Sequence, residues 1–364
     1  MSITTKATGR SSRFDLTLPS HQERNITVNA DTREGLLAAL KNELRTNSGA
    51  TPLHSFVFGG CQHHAPFVKT YGEPDSPLTW VQGDACTTGT LWSAQTTAIS
   101  GLTVKPISFA GRIVGTTYED AYAKYVRLAG ILPTDRFASR EAQTRSLFEN
   151  MRTILHEQGM RFTDTVRTWL YLDRLLEWYD AFNKMRTQFF QEEGVFDAMV
   201  PASTGIGGSN PHGTALIADL LAVRPKSEQA RVFAVQSPLQ GSALEYRSSF
   251  SRAVELELPT HRTLYISGTA SIDANGKTAH LDDPDKQIAL TMQVVEAILN
   301  SRKMNWKDVS RAIAYFTSTD DIPRYYRYCL DHGIAHFPLA ISHADVCRDD
   351  LLFEIELDAI QLNQ

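Results

Sequence analysis

The chain has 364 residues, 42% of them hydrophobic and 21% charged, enough for two or three domains around a sizeable core and too apolar for a disordered protein. A net charge of −5 and a pI near 6.1 give no basic footprint for nucleic acid and no polybasic anchor for a membrane. The four cysteines (Cys61, Cys86, Cys329, Cys347) form no Cys-x-x-Cys pair and read as reduced thiols. The polar start lacks the apolar core of a signal peptide, so a cytoplasmic protein is expected.

Residues 1–30 read as a loose terminus running into a first strand. Residues 31–44 carry an N-cap Asp31 and leucines at helical spacing, which predicts a short helix. Strand-like runs follow at 54–58, 78–82 and 103–109, each bounded by Gly, Pro or Asp. Residues 118–128 read as a further helix, stopped by Gly130 and Pro133.

An internal repeat comes next. Residues 141–171 and 285–315 align at a constant offset of 144 with seven identities in 31 positions: Gln143/Gln287, Ile154/Ile298, Leu155/Leu299, Met160/Met304, Asp164/Asp308, Arg167/Arg311 and Tyr171/Tyr315. Chance would give roughly two in chains of ordinary composition. Each copy reads as amphipathic helix, turn and strand. A second helix follows (175–190 and 322–331), then a proline (Pro201, Pro338) and a last apolar strand (215–223 and 351–360). The organisation expected is α+β in two tandem domains, 1–226 and 227–364, joined through the polar stretch 223–231.

The last strand is unusual. Leu351, Phe353, Ile355 and Leu357 alternate with Leu352, Glu354, Glu356 and Asp358, so one face carries three carboxylates two residues apart. Like charges this close repel, and at least one must be solvated, paired or protonated. A solvent-facing sheet edge and a functional acid are both consistent with the pattern.

Several features together resemble a known family. Tyr265-Ile-Ser267-Gly268, Gln287 opening a helix, Ala297-Ile-Leu299, Asp308 before a strand and the closing Glu-Ile-Glu strand make the C-terminal half similar to a Rid (YjgF-like) domain. The N-terminal half resembles a degenerate copy. With Thr168-Trp-Leu-Tyr-Leu172, Glu177-Trp-Tyr179 and Pro201-Ala-Ser-Thr-Gly-Ile206, the chain resembles the chorismatases more closely still. These enzymes cleave chorismate to pyruvate and a hydroxylated ring acid. The resemblance implies two Rid-like domains, each a mixed sheet with helices on one face, no cofactor, no metal and one active site in the C-terminal domain. It also implies a monomer or homotrimer, with a small molecule as partner and neither nucleic acid nor membrane.

Residue by residue, the resemblance points to Glu354 as the acid, with a one-step shift to Glu356 left open. Arg247 or Arg252 would clamp a substrate carboxylate, and Phe250 matches a ligand-contacting position. Ser203, Thr204 and Gly205, with Ser267 and Gly268, would offer hydroxyl and backbone donors. Cys347 would line the ring pocket, as in the chorismatases that make 3-hydroxybenzoate. Repulsion from Glu356 and Asp358 is the expected means of keeping Glu354 protonated. The carboxylate-clamping Arg of imine-hydrolysing Rid proteins is absent at Ala340 or Ile341 and at Ser203 in the first copy. Three rival readings remain: hydrolysis of chorismate to the dihydroxycyclohexadiene carboxylate, imine or enamine deamination, and a non-catalytic binding module. His63, His64, His332, His336 and His343 show no zinc-ligand spacing, and the Gly-rich stretch 204–213 does not open a helix as a phosphate loop would.

Overall fold

The repeat is explained by what its identical residues do. The structure, a computed structural model, describes all residues except 9–10, 33, 37–38, 40–48, 72–73, 84–91, 247 and 364. In the first copy, α2 (Arg140–Glu157) leads to β10 (Thr165–Leu172). In the second, α4 (Pro284–Ser301) leads to β16 (Val309–Phe316), again 144 residues on. Ser139 and Asp283 cap the two helices by accepting the N–H of Ala142 and Lys286. The Gln143 amide oxygen accepts from the N–H of Ala215, and that of Gln287 from Leu352, each at 2.8–2.9 Å, pinning the approach to the final strand. Asp164 and Asp308 each close the turn before the strand by accepting a backbone N–H at 2.8 Å.

The two-domain expectation gives way to three sheets. The first comprises β1 (Ser2–Thr8), β2 (Ser11–Thr17), β3 (Gln22–Ala30), β4 (Thr51–Phe58), β5 (Leu78–Val81) and β6 (Trp92–Ser100), with α1 (His64–Tyr71) between β4 and β5. The second comprises β7 (Lys105–Phe109), β8 (Arg112–Glu119), β9 (Ala123–Ile131), β10, β11 (Ala202–Gly207) and β12 (Leu216–Pro225), with α3 (Tyr179–Glu192) between β10 and β11. The third comprises β13 (Arg231–Val235), β14 (Ala253–Glu257), β15 (His261–Ala270), β16, β17 (Leu339–His343) and β18 (Phe353–Leu362), with α5 (Ile322–Asp331) between β16 and β17.

Strand orders are β1-β2-β3-β6-β4-β5, β7-β8-β9-β12-β10-β11 and β13-β14-β15-β18-β16-β17, so the three share one topology. In each, all neighbours are antiparallel except the final pair. Residues 1–226 thus hold two sheets. The helix expected at 31–44 falls largely outside the described residues. The helix expected at 118–128 is instead the hairpin of β8 and β9. Asp120 accepts the N–H of Tyr122 and Ala123, both at 2.7 Å, making the turn, and Tyr118 stacks on its cross-strand partner Tyr125 at 4.7 Å.

The sheets close a ring through their edge strands. The edge strand β5 meets the second sheet, where Gly130 donates to Thr79 (2.7 Å). Next round, β11 meets the third, where Gly268 donates to Thr204 (3.0 Å). Finally β17 meets the first, where Asn29 and Ser93 donate to the Leu339 and Ile341 carbonyls (2.8 Å each). A bulge at the same place in β4, β10 and β16 sets their registers equal: His54, Arg167 and Arg311 correspond, as do Phe58, Tyr171 and Tyr315. These last three meet at the centre. The two hydroxyls lie 3.4 Å apart, and Phe58 sits edge-on to both rings at 6.1 and 6.3 Å. The apolar core follows the ring: one cluster fills the middle, and α2 with α3, and α4 with α5, cover the outer faces of the second and third sheets. Among the described residues no helix is long and apolar enough to cross a membrane.

Because Phe58 is fully buried where three sheets converge, Phe58→Ala should cost about 3–5 kcal/mol. Denaturant unfolding measures this, and a loss below about 1 kcal/mol would mean the sheets do not share that core.

Candidate functional site at the junction of the second and third sheets

The carboxylate face of β18 is not a solvent edge. The strand lies between β15 and β16 and is buried on both faces, with Glu354, Glu356 and Asp358 all at most 5% exposed. The three acids meet different surroundings. Glu356 accepts from Arg167 and Arg311, from the Trp169 indole N–H (2.7 Å) and from the Thr204 hydroxyl (3.2 Å). Asp358 accepts from Arg311 at 2.9 Å. Glu354 instead faces a cavity of about 890 Å³. Of the two glutamates left open by the sequence, Glu354 lines this cavity and Glu356 does not.

Burial pushes the Glu354 carboxyl up to about 8, against the pull of Arg167 and Arg252. The expected repulsion from Glu356 and Asp358 is not the cause, because Arg167 and Arg311 neutralise both. Glu354 owes its position to Gly268. A Cβ there would stand 1.9 Å from Oε1 of Glu354, so any other residue would drive the carboxyl out of place.

The cavity wall is built from both sheets. β11 supplies Ser203 and Gly205, β15 supplies Gly268 and Ala270, and the segment ahead of β14 supplies Phe250 and Arg252. Cys347 and Arg348 come from the loop before β18. Arg252 is 4% exposed, donates from Nε to the Gly241 carbonyl at 3.2 Å, and lies over the Phe250 ring. Burial, reinforced by Glu354, pushes the Cys347 thiol up to about 12, so it stays neutral.

Three residues expected to bind substrate are occupied otherwise. The Thr204 hydroxyl accepts from Arg167 (2.6 Å) and Gly268 (3.0 Å) and donates to Glu356. The Ser267 hydroxyl donates to the Ser251 carbonyl and accepts the Ser203 N–H at 2.9 Å. The Gly268 N–H is spent on Thr204. These groups join the two sheets and do not line the cavity as donors. Arg247 lies outside the described residues.

Sequence reasoning missed the α3 wall: Tyr179, Asn183, Arg186 and Thr187. Arg186 is 1% exposed, donates to Asn183 at 2.7 Å and reaches Ser203 at 3.5 Å, while its Nε has no hydrogen-bond partner in the structure. Burial lowers the pKa of Arg186 and raises that of the Tyr179 phenol. The available signal was spacing: 179, 183 and 187 recur every four residues, flanking the Phe182–Phe189 stripe.

The other two junctions explain why this one is open. Registers pair Ser203 with Leu78 and Leu339, and Gly205 with Trp80 and Ile341. Large apolar chains thus occupy the places that Ser203 and Gly205 leave vacant. At the place of Glu354 those junctions carry Ile217 and Ser93, the latter bonded to the Ile341 carbonyl.

Comparison with known proteins relates the chain to others at two levels. Residues 240–361, which hold most of the third sheet, match the family described as Endoribonuclease L-PSP, the class of the Rid-like domains. Beyond that domain, the chain is 26% identical over 260 residues to a chorismatase from Streptomyces hygroscopicus, covering 65% of this chain and 71% of the relative. It is also 25% identical over 271 residues to a 3-hydroxybenzoate synthase from the same organism, covering 66% of this chain and 75% of that one. A crystal structure of a chorismatase superposes with a TM-score of 0.67 at 20% identity, covering 92% of this chain and 98% of the other, which establishes a common fold. The resemblance read from the sequence, to the chorismatases and to Rid-like domains, holds, and so does the reading of the chain as an enzyme.

A carboxyl that is neutral when folded but has an ordinary pKa near 4.5 when unfolded destabilises the fold once it must ionise. The folded pKa is the higher one, so stability is fully present below about pH 4.5 and declines as pH rises through about 8. Glu354→Gln should therefore melt above wild type near pH 9 and close to it near pH 5. Thermal scans at both values check this; equal shifts would mean that Glu354 ionises as freely in the fold as in water.

Proposed function

We propose that the chain cleaves chorismate to pyruvate and 3-hydroxybenzoate, with Glu354 as the proton donor. The observation that carries this reading is an acid kept neutral near pH 7, aimed into a cavity between two buried arginines, Arg186 and Arg252. Chorismate bears two carboxylates and an enolpyruvyl ether. The arginines suit the carboxylates, and a neutral acid suits the ether, since its methylene carbon accepts a proton only from a positioned donor.

The steps balance without oxidant or added water. The Glu354 proton forms a new C–H bond at the methylene carbon, leaving an oxocarbenium centre beside the ether oxygen. The bond between that oxygen and the ring carbon then breaks, releasing pyruvate. The neighbouring ring hydroxyl oxygen takes its place, and its proton returns to Glu354. Opening of the resulting ring oxide, with loss of one ring proton and retention of its oxygen, gives the aromatic phenol. Cys347, neutral and half-buried at the wall, presents an apolar surface there in place of a water site.

Purified protein incubated with chorismate should release pyruvate and 3-hydroxybenzoate. Glu354→Gln should lose about 10²–10⁴-fold in kcat. Gly268→Ala should lose nearly as much and melt lower, because a Cβ there meets the Glu354 carboxyl at 1.9 Å and the Thr204 methyl at 3.2 Å. Release of the dihydroxycyclohexadiene carboxylate would replace the displacement step with hydrolysis, and absence of pyruvate from wild type would overturn the reading.

A further inference from the structure

Beneath Glu354 lies a second set of charged side chains that touches no part of the cavity. Arg167 from β10 and Arg311 from β16 both donate to Glu356, and Arg311 also donates to Asp358. All four are buried, with side chains at most 7% exposed, and their formal charges sum to zero. Thr204 connects this set to the acid. Its methyl packs against Gly268 beside the Glu354 carboxyl, and its hydroxyl binds both Arg167 and Glu356.

Arg167, buried close enough to act on Glu354, favours loss of its proton. An unmatched cation within a few ångströms lowers a carboxyl pKa by about 1–3 units. Resting on the chorismate-cleaving role of Glu354, we propose that the Arg167–Glu356–Arg311–Asp358 cluster is a charge-neutral floor that keeps Glu354 in its proton-donating form. Glu356 is the positioning residue at its centre, cancelling the cations that would otherwise stabilise an ionised Glu354. The remaining groups around the acid are Arg252 ahead of β14, Tyr315 on β16, Tyr179 and Arg186 on α3, and Cys347 and Arg348 in the loop before β18. The two tyrosines and Cys347 are held neutral by burial. On the cavity side stand the cations Arg252, Arg186, Arg348 and Lys184, with Asp180 beside Lys184 on α3, where a dicarboxylate substrate would meet them.

The test uses a readout that needs no turnover. Infrared titration of the Glu354 carboxyl band, isolated by subtracting Glu354→Gln, should give a midpoint about one pH unit lower in Glu356→Gln than in wild type. The double variant Arg167→Gln/Glu356→Gln restores neutrality and should bring the midpoint back, which a general loosening of the site would not do. In turnover, Glu356→Gln should lose about fivefold in kcat/KM near pH 8 and little near pH 6. Should Glu356→Gln fail to fold, Asp358→Asn frees Arg311 partly and should shift the midpoint the same way by less. An unmoved midpoint in the folded variant, or a shift that persists in the double variant, would overturn the neutral floor. Lack of pyruvate release from wild type would overturn the functional reading while leaving the infrared result to stand or fall alone.

Discussion

Everything in this molecule is arranged about one carboxylate that does not face the cavity. Glu356 is shared by Arg167 and Arg311, the same position in two copies of a repeat, and so ties the second sheet to the third. Arg311 extends the tie to the first sheet by donating to Gln95 at 2.6 Å. A buried ion cluster adds little net stability, since desolvation consumes most of its attraction, but removing one member leaves an uncompensated charge. Its value here is geometric: it sets the angle at which three sheets meet, and thereby where Glu354, two residues along the strand, comes to lie.

That arrangement turns three equivalent junctions into one site. Each has an edge strand lying across its neighbour, and each could in principle hold a cavity. Trp80 and Leu78 occupy the first, Leu339 and Ile341 the third. At the second, Ser203 and Gly205 leave room, and the facing strand places Glu354 where the other two junctions, among the described residues, carry Ile217 and Ser93. The second junction retains the polar frame of the first almost unchanged. Gly130 donates to Thr79 and Thr79 to Asp219, as Gly268 donates to Thr204 and Thr204 to Glu356. The frame joins the sheets, while the chemistry depends on the few residues that differ.

The sequence disclosed the parts of the fold that rest on local pattern and on repetition. The helix–turn–strand copies at 141–171 and 285–315 were legible because their identities each do structural work: Gln143 and Gln287 hold the last strand, Asp164 and Asp308 close the turn. Glu354 was legible through its alternating strand. The first sheet as a separate copy was not, because its counterparts to Arg167 and Tyr171 are His54 and Phe58, and residues 51–58 share no identity with 164–171. The hairpin at 118–128 was misread because tyrosines at near-helical spacing hid an Asp120 turn. The α3 wall was missed because residues that face a cavity between sheets look, in one dimension, like the polar side of any amphipathic helix. The source of the Glu354 shift was misjudged for a similar reason: the cations that cancel Glu356 and Asp358 lie 45 to 189 residues away.

Carrying the three copies on one chain also solves a charge problem that identical subunits cannot. In a symmetric trimer any residue at the axis appears three times, and three arginines in the place of Arg167 and Arg311 would need three buried carboxylates. Here the third position is His54, fully buried and without a hydrogen-bond partner at either ring nitrogen. Burial and the nearby Arg127 and Arg311 hold its pKa well below the usual histidine range, so it is neutral. Two cations then balance two anions, so the cluster beneath Glu354 carries no net charge. The asymmetry that closes two junctions also makes the axis electrically neutral, and an acid can remain protonated beside it.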